Sequence, residues 1–247
     1  MSGLSALFSL PLDLLIWSCA LTLVAAFVQG TLGFGYAIVS VPVLALIDPR
    51  LAPVPQLVQM LPLTFLIYWR EREAAEWRGV VWTTLGRLPG TAMGVLLLKI
   101  ATQRVLDLLI GALVLVAVAG LKGERSVART PWTEGLAGLL SGATSVVSSI
   151  GGPPIALLYK GARGPTIRAT LSVIFFVGLL VTVLGRALAG EITGLEVALG
   201  LVTTPLVLLG VWLSRFTARR VEGRPLQVMI LGFSALSGLA LIARSLS

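Results

Sequence analysis

Apolar and charged positions alternate in blocks along this chain, with long uncharged runs separated by short charged clusters. Leu14 to Ile47 runs for 34 residues without Lys, Arg, Asp or Glu, whereas one helical crossing of a bilayer needs about 20. Run length predicts six full spans, near Leu51 to Trp69, Val80 to Leu98, Val105 to Leu121, Ala169 to Leu188, Val197 to Ser214 and Leu226 to Ala243. Two regions remain, Leu12 to Ile47 and Trp132 to Tyr159. Each exceeds one span, is too short for two spans with a loop, and is interrupted by glycine. A broken or re-entrant helix pair fits both, because non-helical backbone at membrane depth is tolerated only where protein or a watery cavity covers it. The expected fold is an all-α polytopic membrane protein, a single transporter domain over residues 1–247.

An offset of 116 residues places Gly35 on Gly151, Pro89 on Pro205, Gly94 on Gly210 and Arg104 on Arg220. This predicts two repeats, about 12–121 and 132–243, each a broken pair followed by three full helices. A broken pair returns the chain to its starting side, so each repeat crosses an odd number of times and the second is inverted. With the N-terminus outside, 13 Lys and Arg fall inside: Arg70, Arg72, Arg78, Lys122, Arg125, Arg129, Lys160, Arg163, Arg168, Arg215, Arg219, Arg220 and Arg224. Only Arg50, Lys99, Arg104, Arg186 and Arg244 fall outside, with Arg87 within a span. The bias predicts both termini outside. Met1 to Leu10 has no basic residue, so it lacks the basic region of a secretory signal and the first apolar segment is expected to stay.

Composition agrees, with 56% hydrophobic and 12% charged residues against roughly 25% charged in soluble domains. The net charge of +8 does not point to nucleic acid, because the basic residues sit in loop clusters and not on one face. The lone Cys19 and the absence of histidine exclude imidazole and multi-thiolate metal sites and His-based acid–base chemistry. No cofactor is implied, and catalysis is disfavoured. Asp13, Asp107, Glu134, Glu191 and Glu196 lie near segment ends, so no carboxylate proton relay is visible. Sodium held by backbone carbonyls would leave no sequence trace, and the coupling ion, H+ or Na+, stays open.

Both breaks would open onto a new helix, where free amides attract anions. In the second, Ser148 and Ser149 supply hydroxyls, Gly151 and Gly152 allow close backbone approach, and Pro153 and Pro154 suit a first helical turn. The alternative is that these glycines only permit tight helix packing. The first break offers Gln29, Thr31, Gly33, Phe34, Gly35 and Tyr36. Gln29 and Thr31 are neutral donors suited to an anion, or Gln29 bonds a neighbouring helix and Tyr36 lies at an interface. Arg87 lies within its span, where a charge costs ~2.5 to 3.5 kcal/mol and faces a cavity or partner unless it snorkels to the surface. Its repeat counterpart is Thr203. Gln56 and Gln59 share one helix face, lining a pathway or bonding between helices. The run Arg70 to Arg78 reads as a solvated loop.

Gly33-Phe-Gly-Tyr-Ala-Ile-Val-Ser-Val-Pro42, Arg87-Leu-Pro-Gly90, Gly138-Leu-Leu-Ser-Gly142 and Ile150-Gly-Gly-Pro-Pro154 together resemble the TauE/SafE sulfite exporter family. The likeness runs from about Leu21 to Ala243, with departures at Tyr36 and Ser149, where the family often has glycine. The resemblance implies movement of small sulfur-containing anions such as sulfite, thiosulfate or organosulfonates, often outward, across the bacterial inner membrane. The expected partners are then the lipid bilayer, a small anionic substrate and a coupling ion. Rival readings are an exporter of amino acids or another small solute, and a non-catalytic membrane subunit. The sequence leaves the oligomeric state open.

Overall fold

The computed structural model describes residues 11–122, 127–218 and 224–246, so Met1 to Leu10, Arg125, Arg219 and Arg220 lie outside the described residues. The described chain is helical throughout, without strands. Its helices are α1 (Leu12–Leu32), α2 (Tyr36–Ile47), α3 (Val54–Glu71), α4 (Trp77–Ile100), α5 (Gln103–Lys122), α6 (Pro131–Ser148), α7 (Gly152–Leu158), α8 (Gly164–Ala189), α9 (Gly194–Thr217) and α10 (Arg224–Leu246). The two interrupted regions are broken where glycine predicted, at residues 33–35 and 149–151.

Local chemistry fixes these boundaries. α1 ends on Gly33 at φ 90°, a left-handed residue whose N–H donates to the Gln29 carbonyl, and Gly35 follows at φ 114°. Only glycine takes both angles without strain. α6 starts at a Thr130–Thr133 capping box with Pro131 in its first turn, and ends on Ser149 at φ 59°. Pro153 and Pro154 then open α7, where no intrahelical hydrogen bond is lost.

Among the described residues, five helical segments are long and apolar enough to cross a membrane: Leu12–Leu32, Pro49–Ala74, Gln103–Gly120, Gly164–Ala189 and Gly194–Thr217. One of the expected full spans differs in character: α4 forms at full length, but Arg78, Arg87, Lys99 and its glycines and threonines make it less apolar. α10 forms over 23 residues, Arg224–Leu246, around the expected last span. The first broken pair is also unequal: α1 has 21 residues, roughly 31 Å and enough for a full crossing, and α2 has 12.

At an offset of 116 several element boundaries coincide. Leu32 and Ser148 end the helices before the breaks, Tyr36 and Gly152 start the helices after them, and Pro89 and Pro205 lie inside α4 and α9. Packing follows the same exchange. α4 packs on α6 of the other half, and α9 packs on α1. The α4–α6 seam is built on glycine: a Cβ on Gly86 or Gly90 would stand 2.0 or 2.1 Å from the Gly135 or Leu139 carbonyl oxygen. From the other side, a Cβ on Gly138 would stand 2.1 Å from the Thr83 oxygen. Large apolar side chains such as Leu96, Leu184 and Leu201 are exposed on the perimeter, as lipid-facing positions require.

Candidate functional site

The two breaks meet. A Cβ on Gly152, the first residue of α7, would lie 3.9 Å from the Phe34 Cβ and 3.6 Å from the Phe175 ring. Around this meeting point the two halves present different chemistry.

At the first break, Gln29 is buried and its Oε1 accepts from the Tyr36 N–H at 3.0 Å. The side chain from the end of α1 therefore caps the start of α2, while Gln29 Nε2 has no partner. Tyr36 is fully buried; its hydroxyl donates to Gln59 Oε1, and Gln59 Nε2 donates to Thr203 Oγ1. Thr203 in turn donates to the Leu199 carbonyl at 2.6 Å. Gln59 thus joins the break to α9, whereas Gln56 donates to the Leu51 carbonyl at 3.0 Å and serves its own helix start. Thr31 turns away, donating to the Phe27 carbonyl at 2.9 Å and lying 3.3 Å from Thr217 Oγ1. Gly33 sits against Arg168, whose Cα would be 3.0 Å from a Cβ added there.

At the second break, Arg87 is 1% exposed. Its guanidinium donates to Ser141 Oγ at 2.6 Å and to Ser145 Oγ at 3.1 Å. It does not snorkel. Ser141 Oγ donates to the Gly151 carbonyl at 2.6 Å, so Arg87 reaches the break through one hydroxyl. Gly151 itself packs on Ser145, whose Oγ would stand 1.9 Å from an added Cβ. Arg87 Nε lacks a hydrogen bond and lies against Gly178, where a Cβ would stand 2.0 Å away. Among the described residues no carboxylate lies within 4.0 Å of Arg87. Ser148 donates to the Thr144 carbonyl at 2.8 Å and accepts from the Ile150 N–H, and Ser149 donates to the Pro53 carbonyl at 2.9 Å. Both serine hydroxyls hold the break in place. Pro153 is buried.

Three arginines near the breaks were not legible as such. Arg70 donates to the Gly30 carbonyl at 2.6 Å, and Arg186 donates to the Val146 carbonyl at 2.6 Å. Donors and acceptors both sit 116 residues apart, so an arginine sits on the carbonyl end of the helix before each break, where a cation is favoured. Arg168, 5% exposed, donates to both Glu71 oxygens, at 2.7 and 3.0 Å, and to the Thr31 carbonyl. Arg70 and Glu71 are therefore not part of a solvated loop, as Arg70 to Arg78 suggested, but lock the end of α1. The shared 116 offset of Arg70 and Arg186 was the available signal.

A cavity of about 220 Å³ lies beside the second break, lined by residues including Pro53, Leu98, Asp107, Val147, Arg186 and Glu191. It adjoins the loop that Ser149 holds.

A family model described as sulfite exporter TauE/SafE matches residues 18–241, nearly the whole chain. No curated protein and no solved structure in the comparison matches it. The chain belongs to the TauE/SafE sulfite exporter family and is a multi-pass membrane transporter of that type.

Proposed function

We propose that this protein exports a small sulfur-containing anion, sulfite or a related thiosulfate or organosulfonate, across a bacterial inner membrane, with Arg87 as its positive ligand. The observation that carries the reading is a buried guanidinium whose partners among the described residues are two serine hydroxyls and no carboxylate. Burying an unneutralised cation is costly, and an anion bound beside it removes that cost. Gln29 Nε2, unpartnered at the other break, adds a neutral donor that suits an anion. Gly151 and Gly152 give the backbone room for close approach.

The exchange of α4–α6 for α9–α1 supports two inverted repeats working by alternating access around the breaks. In that arrangement the Arg168–Glu71 lock closes the side that loop charges assign to the cytoplasm. The cavity beside Arg186 opens the opposite side.

Flux of sulfite, thiosulfate and sulfoacetate from proteoliposomes tests the reading, and saturable flux of at least one is expected. Arg87→Leu should raise the half-saturating concentration about 10- to 100-fold, following the ~1.5–3 kcal/mol of a charged hydrogen bond. Unchanged kinetics would remove Arg87 from the site, and competition by amino acids in place of sulfonates would replace the substrate class.

A further inference from the structure

Glu134 belongs to the same seam as Arg87. Along α6, Glu134, Gly138, Ser141 and Ser145 follow one another at spacings of three or four and are all buried, so they form one stripe against α4. Facing them on α4 are Gly79, Thr83 and Arg87, buried likewise. A Cβ on Gly79 would stand 1.9 Å from the Tyr159 hydroxyl and 3.3 Å from Glu134 Oε1, which places both side chains around one point. Glu134 is 4% exposed, and its Oε2 has no hydrogen-bond partner among the described residues. Tyr159 is 0% exposed and its hydroxyl likewise lacks a well-formed hydrogen bond.

The charged groups around Glu134 are Arg78 of α4, Arg129 of the segment before α6, and Glu76 before α4. Arg129 is already engaged: it pairs with Glu76 and stands 5.1 Å over the Tyr159 ring. An ionised carboxylate with an unpartnered oxygen in such a place is strongly disfavoured, whereas a carboxylic acid is tolerated. Loss of the proton would create a buried anion competing with Glu76 for Arg129.

We infer that Glu134 is a proton-binding site that couples the seam holding Arg87 to pH. Its carboxylate takes one proton from water at the Arg129–Glu76 surface, which neutralises its charge, and gives the same proton back to water when the seam opens, which restores the charge, so the cycle has no net change. The inference rests on the transport reading for what the proton drives, and on Glu134 alone for the site.

Two measurements separate these. Difference infrared spectra of the purified protein across a pH titration should show a protonated-carboxyl C=O band near neutral pH that disappears in Glu134→Gln and shifts in Glu134→Asp. No such band means that Glu134 stays ionised and the site is wrong, whether or not anions are transported. In proteoliposomes, an imposed pH gradient should change sulfite flux severalfold in the native protein and leave Glu134→Gln unaffected. An equal response in both, or none in the native protein, overturns the coupling. Absence of any sulfite flux counts against the transport reading, and the infrared titration still decides the site.

Discussion

The two breaks lie 116 residues apart in the chain and hold different chemistry. The first is held by a neutral chain of groups running from Gln29 through Tyr36 and Gln59 to Thr203, with its charges gathered at the end of α1 in the Arg70–Glu71–Arg168 cluster. The second has a cation at its centre, Arg87, tied to Gly151 through Ser141. At offset 116 Arg87 answers to Thr203 and Ser145 to Gln29, so charge in one half is replaced by amide and hydroxyl in the other. The difference is one of chemistry: the first break is pinned by neutral hydrogen bonds, and the second is tied to a buried cation.

The sharpest way to break this comparison is at the cluster that pins the first half. Glu71→Gln leaves Arg70 and Arg168 without their shared carboxylate, and a thermal melt in detergent should register a loss of about 3 to 5 kcal/mol, the range for breaking a buried pair. Arg168→Gln should cost less, because Arg70 still stands 3.4 Å from Glu71. Equal losses, or a larger loss in Arg168→Gln, would show that Arg168 acts through Thr31 and Gly33 and not through the ion pair.

How much of this was readable in advance follows from what each signal depends on. Both breaks, the Pro-Pro start of α7 and the depth of Arg87 were legible because they rest on local backbone chemistry and run length. The partners were not. Ser141 and Ser145 are ordinary small residues on a membrane helix until the seam sets them opposite Arg87. Ser148 and Ser149 read as ligand donors, but their hydroxyls are turned to backbone carbonyls by the folding-back of the chain. Glu134 read as a segment-end charge, and the fold buries it beside Gly79 and Tyr159. Long-range pairing decided each of these, and pattern along the chain carries no record of it.

A smaller effect sharpens the scaffold reading. Tyr36→Phe removes the hydroxyl donor and leaves Gln59 Oε1 buried without it. The expected loss of stability is about 1 to 3 kcal/mol, as for one unsatisfied polar group. Flux per folded molecule should stay within about twofold, less than the RT-scale free energy of one weak hydrogen bond. If flux falls by tenfold in protein that still folds, the Tyr36 hydroxyl acts in transport and is more than a structural tie to Gln59.

The smallest effect concerns the left-handed residue that ends α6. The first half uses glycine there, at Gly33, and the second uses Ser149 at φ 59°. A non-glycine residue in that region costs roughly 1 to 2 kcal/mol, and Ser149 offsets part of it through its hydrogen bond to the Pro53 carbonyl, about 0.5 to 1.5 kcal/mol. Ser149→Gly removes both terms, so its melting temperature should stay near that of the native protein. Ser149→Ala keeps the strained angle and loses the bond, so it should be the less stable of the two. Were alanine and glycine equal, the angle would carry no strain and the serine would be there for its hydroxyl alone. With the expected order, Ser149 is a tether between the second break and the loop at Pro53, a link that Gly33 has no side chain to make.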